Sequence, residues 1–289
     1  MKISAFSIFS VLLTMALTPA TFAAASKPTG KPSAKSSTSL VQNTRNDKTI
    51  FSGLFNVSRS TSLVNHEDGS AQDAMEYAGR LNMNLNKSYV LRLSGGYSQN
   101  LNDSSYDDFS DTSLSIRHNP FALNKTFLMG WNLGATAPTS KDSSKRQSMI
   151  AALNSGMNVM VNPDSLIPGL GMVAGISLNR NLHQYETDVN GNVLSQYTSS
   201  QSFSISYDWP VGITLSADFV HQNAWTYQGN VKEVFAFTQE LGYQMNNWLA
   251  LGIGHTNMGS VLKPDGVESN ISIVNENSSL VYASATIIF

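Results

Sequence analysis

The chain has 289 residues, no cysteine, and a formal net charge of −2 from 18 basic and 20 acidic side chains. That balance excludes the basic surface of a nucleic-acid binder, and the missing cysteines exclude both a disulfide framework and a lipidated N-terminal cysteine. Charged residues are 13% of the total, against about 25% in a soluble domain; Ser, Asn, Thr, Gly and aromatics fill the gap, as suits a wall between lipid and water.

Residues 1–25 read as a secretory signal. Lys2 supplies the positive start, Ile8 to Leu17 the apolar core, and Thr18-Pro19 the break before small residues at Ala23 to Ala25. The apolar run is shorter than the roughly 20 residues of a spanning helix. Residues 26–47 are rich in Ser, Lys and Pro, with Lys27, Lys31 and Lys35 spaced along them. They hold too few apolar groups to pack and read as a disordered basic periplasmic linker. The folded part is expected over residues 48–289.

From Lys48 onward, apolar and polar residues alternate with a period of two, which is a strand with two unlike faces. The first strand is expected over residues 49–58, with Phe51, Phe55 and Val57 on one face. The second, 73–86, sets Met75, Tyr77, Leu81 and Met83 against Glu76, Arg80 and Asn82. The third carries Tyr89, Leu91, Leu93 and Tyr97 opposite Arg92 and Ser94. The fourth spans about 110–118 and ends at Asn119-Pro120, with Arg117 on its polar face. The fifth starts near Phe127, the sixth covers 148–161, and the seventh runs from Leu170 to about Asn179. The eighth, 196–207, precedes an Asp208-Trp209-Pro210 turn; the ninth sets Val211 to Phe219 against Thr214, Ser216 and Asp218. The tenth, 231–245, carries Lys232 and Glu240 on its polar side; the eleventh is 248–257 and the twelfth 277–289.

Connections after even strands are short, and those after odd strands are mostly longer, up to about twenty residues before Glu276. Transmembrane β-barrels pair short periplasmic turns with long outer loops. Strands of about 9–11 residues cross a bilayer at a tilt, and only a closed sheet satisfies every backbone group in lipid. Aromatics gather at strand ends, with Tyr89, Phe127, Tyr207, Trp209, Tyr243, Trp248 and Phe289 on one side and Tyr77, Tyr97, Phe109, Tyr197 and Phe219 on the other. Two such belts are expected at the headgroup levels. The last strand alternates Val281, Ala283, Ala285 and Ile287 with Tyr282, Ser284 and Thr286, and it ends on the aromatic Phe289. That ending resembles the closing strand of Gram-negative outer-membrane β-barrels as a class. The resemblance implies an antiparallel up-and-down barrel of about 12 strands in the cell outer membrane, with both termini periplasmic. It also implies that Phe289 and Ile287 are read by the barrel-assembly machinery, and that lipid and lipopolysaccharide surround the wall. A homo-oligomer is open to it.

Eight charges fall on the polar face and are expected to line the lumen: Glu76, Arg80, Arg92, Arg117, Asp208, Asp218, Lys232 and Glu240. A narrow water-filled pore for ions or small polar solutes is one outcome. A lumen plugged by cross-lumen pairs, with function in the outer loops as adhesion or envelope integrity, is the other. No metal-ligand spacing or cofactor motif is present; His66, His118, His183, His221 and His255 are scattered,. Asp188-Val189-Asn190-Gly191-Asn192 has a superficial calcium-loop look without its terminal Glu, and reads as a hairpin tip. One constellation has catalytic residue types. His255 falls on the lipid side of the eleventh strand, with Gln239 and either Asn277 or Ser279 expected beside it. His255-Thr256-Asn257 is similar to the His-x-Ser-Asn of lipid A deacylases, but Asn257 stands where that resemblance requires the nucleophilic serine, so Ser279 would have to replace it.

Overall fold

A computed structural model describes residues 50–63, 72–102, 106–162, 165–263, 265–276 and 278–289. The signal segment, the linker, His66 and Asn277 lie outside the described residues. The elements in chain order are β1 (Phe51–Ser62), β2 (Asp73–Asn84), β3 (Tyr89–Asn100), β4 (Asp108–Phe109), β5 (Thr112–Ala122), β6 (Phe127–Ala137), β7 (Met149–Val161), β8 (Leu170–His183), β9 (Ser195–Asp208), β10 (Ile213–Thr226), β11 (Val231–Gln244), β12 (Leu249–Ser260) and β13 (Ser279–Ile288). Each long strand pairs antiparallel with the next, β1 pairs with β13, and the ring closes. The two-residue β4 extends the β5 stave along β3, so the wall has twelve staves, the number expected from the alternation.

Closure is made by the two ends of the folded region. Leu54 stands opposite Ile288 and Val57 opposite Ala285, and Gly53 and Phe289 exchange backbone hydrogen bonds of 2.7 and 3.0 Å. A Cβ at position 53 would lie 2.6 Å from the Phe289 ring. Glycine therefore lets that ring lie flat on the outside of the seam, as an aromatic covering a strand glycine does.

Burial is inverted relative to a soluble barrel. Leu93, Leu133, Leu153 and Ile253 are 46–61% exposed, while Asn82, Ser216, Asp218 and Glu240 are 2–3% exposed. Apolar side chains face out, and the crowded interior is polar. No helix among the described residues is long and apolar enough to cross a membrane; the strands are the spanning elements. β8 to β11 have 14 residues each, against 12 in β1 to β3, so the wall is taller on that side.

Three sequence expectations change. The fourth strand does not stop at Asn119-Pro120. β5 runs to Ala122 through a register shift between His118 and Phe121, because a bulge leaves a residue unpaired and tolerates the missing proline N–H. Val211 belongs to the turn rather than to a strand, where Gly212 adopts a φ of 82°. β8, β10 and β12 each run past their expected ends, to His183, Thr226 and Ser260, because their polar upper halves hide the alternation.

Candidate functional site

Ladder register places charge inside the barrel. Arg80 on β2 stands opposite Ser94 of β3, while Arg92 of β3 stands opposite Asn82. Arg117 of β5 stands opposite Val90, and Arg92 opposite Ser115. The three arginines are therefore diagonal neighbours on three consecutive staves. Diagonal positions on one face are about 7–8 Å apart, within reach of long side chains. Arg92 is almost wholly buried, and its Nε donates to Asn82 Oδ1 at 2.8 Å. Arg80 Nε is buried with no hydrogen-bond partner. None of the three arginines forms an ion pair with a carboxylate among the described residues, in contrast to Arg59 with Asp73 and Arg146 with Asp142. Like charges at that spacing repel by about 2 kcal/mol per neighbouring pair at an effective dielectric constant near 20.

The opposite wall is acidic. Asp218 of β10 stands opposite Thr238, and Glu240 of β11 opposite Ser216, so these two are also diagonal neighbours. Four staves separate β5 from β10 and three separate β11 from β2, so the two charged sets face each other across the lumen. All five groups lie near the strand ends on the termini side: Arg80 before Asn84, Arg92 after Tyr89, Arg117 before Ala122, Asp218 after Ile213 and Glu240 before Gln244. Here the acids have donors. Ser204 Oγ donates to Asp218 Oδ1, and the Tyr282 hydroxyl donates to Glu240 Oε2 at 2.7 Å. Tyr282 reaches across β12 to do so. A Cβ on the intervening Gly254 would lie 2.3 Å from the Tyr282 ring, so only glycine leaves room for the tyrosine to lie against the wall.

The remaining lumen candidates sit elsewhere. Asp208 is at the termini-side rim, where Thr214 Oγ1 donates to it. Lys232 is near the other rim, with its Nζ donating to Val193 O at 3.2 Å. Glu76 lies further along β2 toward that same rim, opposite Ser58 and Ser98. Phe289 and Ile287 face outward at the seam, 67% and 43% exposed. Sequence reasoning missed Tyr282 as the partner of Glu240, Asn82 as the support of Arg92, and the segregation of charge. Glycine at 252 and 254, on the inward side of an otherwise regular strand, was the available signal for a large side chain passing over.

On the exterior, Gln239 stands opposite His255, and Ser279 stands opposite Asn257 rather than His255. Ser279 Oγ accepts from Asn275 N at 2.9 Å, and both ring nitrogens of His255 are buried without partners. The nucleophile–base hydrogen bond that acyl-transfer chemistry needs is not formed between these two. Instead, residues 261–263, 265–276 and 278 fold back as a strap over the outer wall. Asn257 Nδ2 donates to Ser272 O at 2.7 Å, Ser278 Oγ donates to Asn257 Oδ1 at 2.6 Å, and Asn270 Nδ2 donates to Ser260 O at 3.0 Å. Asn257, Ser279 and Phe235 are 0–2% exposed although their positions face outward. The strap removes this polar patch from lipid, which accounts for amide and hydroxyl groups on that face.

At the loop end, Asp188 accepts from the backbones of Asn190 and Asn192 and from Asn192 Nδ2, and Thr187 bridges Val193. The segment is a hairpin tip. Burial pushes the Asp188 carboxyl up, but the Asn192 and Asn190 hydrogen bonds and Arg146 outweigh it and hold it below the usual carboxylate range. No group of His, Asp and Glu able to hold a metal is present among the described residues.

No protein-family model matches the sequence, and none of the curated proteins matches it. Among solved structures, an outer membrane channel from Pseudomonas putida F1 aligns with a TM-score of 0.56 at 13% identity, over 83% of this chain and 95% of that one. The chain has the fold of the outer-membrane channel barrels. The KdgM porin aligns more loosely, with a TM-score of 0.47 at 6% identity over 81% of this chain and 99% of that one.

Proposed function

We propose that this protein is a narrow porin-like channel of the Gram-negative outer membrane, passing ions and small polar solutes down a polar lumen. The observation that carries the reading is the pair of opposed charged walls whose arginines remain without carboxylate partners. A barrel plugged for structural purposes would cancel those charges across the lumen, since an uncompensated buried charge is costly. Charges held at one level around a water-filled path are how pores set selectivity. In this reading both termini are periplasmic, the chain is exported behind a cleaved signal peptide, and the wall is surrounded by lipid and lipopolysaccharide. Phe289 and Ile287 then present the closing strand to the barrel-assembly machinery. Refolding the chain into planar bilayers tests the proposal: discrete conductance steps that scale with salt are expected, and a sealed bilayer would overturn it.

A further inference from the structure

We propose that Arg80, Arg92 and Arg117 form a binding site inside the lumen for small organic anions that carry two or more carboxylates. The inference rests on the channel reading and names its preferred solute.

The argument starts from what these side chains lack. Three guanidinium groups stand on adjacent staves of one face, each the diagonal neighbour of the next, with no carboxylate partner among the described residues. Arg80 Nε is a buried donor with nothing to donate to. A buried donor without an acceptor is rare in folded proteins and calls for a ligand or water. Arg92 is fixed from behind by Asn82, and Asn82 is itself 3% exposed with its Nδ2 near Ser52 Oγ at 3.5 Å. One fork is thereby pre-oriented, so less side-chain freedom is lost when an anion binds.

The spacing selects the ligand. Guanidinium forks match carboxylates in a bidentate geometry. A monovalent anion can engage one fork. A solute with two carboxylates separated by a few bonds can engage neighbouring forks about 7–8 Å apart at their roots, and it offsets repulsion between two cations at once. The facing acids do not compete for the arginines, because they lie on the far wall and have donors of their own in Ser204 and Tyr282. Their field turns an entering dicarboxylate toward the basic side. Glu76, the inward-facing acid of β2, lies between Arg80 and the loop rim, so an anion passing from that side meets its carboxylate before the arginine line.

Chloride conductance of the refolded full chain is recorded while succinate or acetate is added at matched ionic strength. Succinate is expected to block at a concentration about tenfold or more below acetate, because each additional charge-assisted pair adds on the order of a factor of ten. Arg92→Gln and Arg117→Gln are each expected to weaken succinate block about tenfold and leave acetate block nearly unchanged. Arg80→Lys keeps the charge, loses the fork, and is expected to fall in between. Equal block by the two anions in the wild-type chain, with conductance intact, overturns this site and leaves the channel. No conductance in the wild-type chain overturns the channel itself, and the site with it.

Discussion

The two charged walls of the lumen are built on the same pattern and finished differently. Each is a diagonal run of inward side chains on neighbouring strands at one level of the barrel. On the acidic wall, donors from the protein itself are supplied: Ser204 for Asp218, and Tyr282 for Glu240 across a glycine. On the basic wall one acceptor is supplied, Asn82 for Arg92, and no counter-charge. Each acid holds one neutral hydroxyl donor, whereas Arg80 Nε on the basic wall is a buried donor with no acceptor. The basic wall is therefore the ligand-facing one, and the acidic wall is a fixed source of field.

The largest effect that would break this comparison is inversion of the basic wall. Arg80→Glu, Arg92→Glu and Arg117→Glu together are expected to reverse the ion preference, read as a change of sign in the zero-current potential across a salt gradient. An unchanged sign would show that these walls do not set selectivity.

Gly254→Ala attacks the acidic wall through packing. The new methyl would sit where the Tyr282 ring now lies, and overpacking of this kind costs about 1–3 kcal/mol. A lower urea midpoint of the refolded barrel, followed by tryptophan fluorescence, would record it. Tyr282→Phe removes only the hydroxyl. It leaves a buried carboxylate oxygen short of a donor at about 1–3 kcal/mol, with a comparable fall in the same midpoint.

Asn82→Ala probes the basic wall without altering charge. Loss of one neutral acceptor to a charged donor is expected to cost about 1.5–3 kcal/mol and to weaken organic-anion block, because Arg92 is no longer oriented. A variant with wild-type block would remove Asn82 from the site.

The smallest effect belongs to the loop end and serves as the control. Asp188 is held below its ordinary value, so its contribution to the hairpin tip is present above the unfolded pKa of about 3.9 and is lost as pH falls through the lower folded value. Amide exchange in residues 184–194 is expected to rise as pH falls through that lower value. Asp188→Asn is expected to raise it at neutral pH with the zero-current potential unchanged.

Much of the barrel was legible in the chain because a period of two reports which face each residue occupies. The alternation along residues 73–86 was enough to separate Arg80 and Asn82 from Leu81 and Met83, and a lipid-bathed wall leaves no other use for a repeated apolar face. What was not legible depends on register and on chain that leaves the sheet. Arg92 next to Asn82, and Tyr282 reaching over Gly254, follow from how strands slide past one another, which periodicity does not encode. Pro120 read as a stop because the bulge that accommodates it is set by pairing with β6. His255 and Ser279 read as a catalytic suspicion because the segment that covers Asn257 and Ser279, from Ser272 to Ser278, has no strand period to announce where it folds.

The central claim is that the basic wall faces the solute and the acidic wall does not. The zero-current potential of the wild-type chain in a planar bilayer under a potassium chloride gradient tests it most directly. A potential displaced toward the chloride equilibrium value is the predicted result. A displacement toward the potassium value would contradict the account, because it would make the acids, and not Arg80, Arg92 and Arg117, the groups that the permeating ion meets.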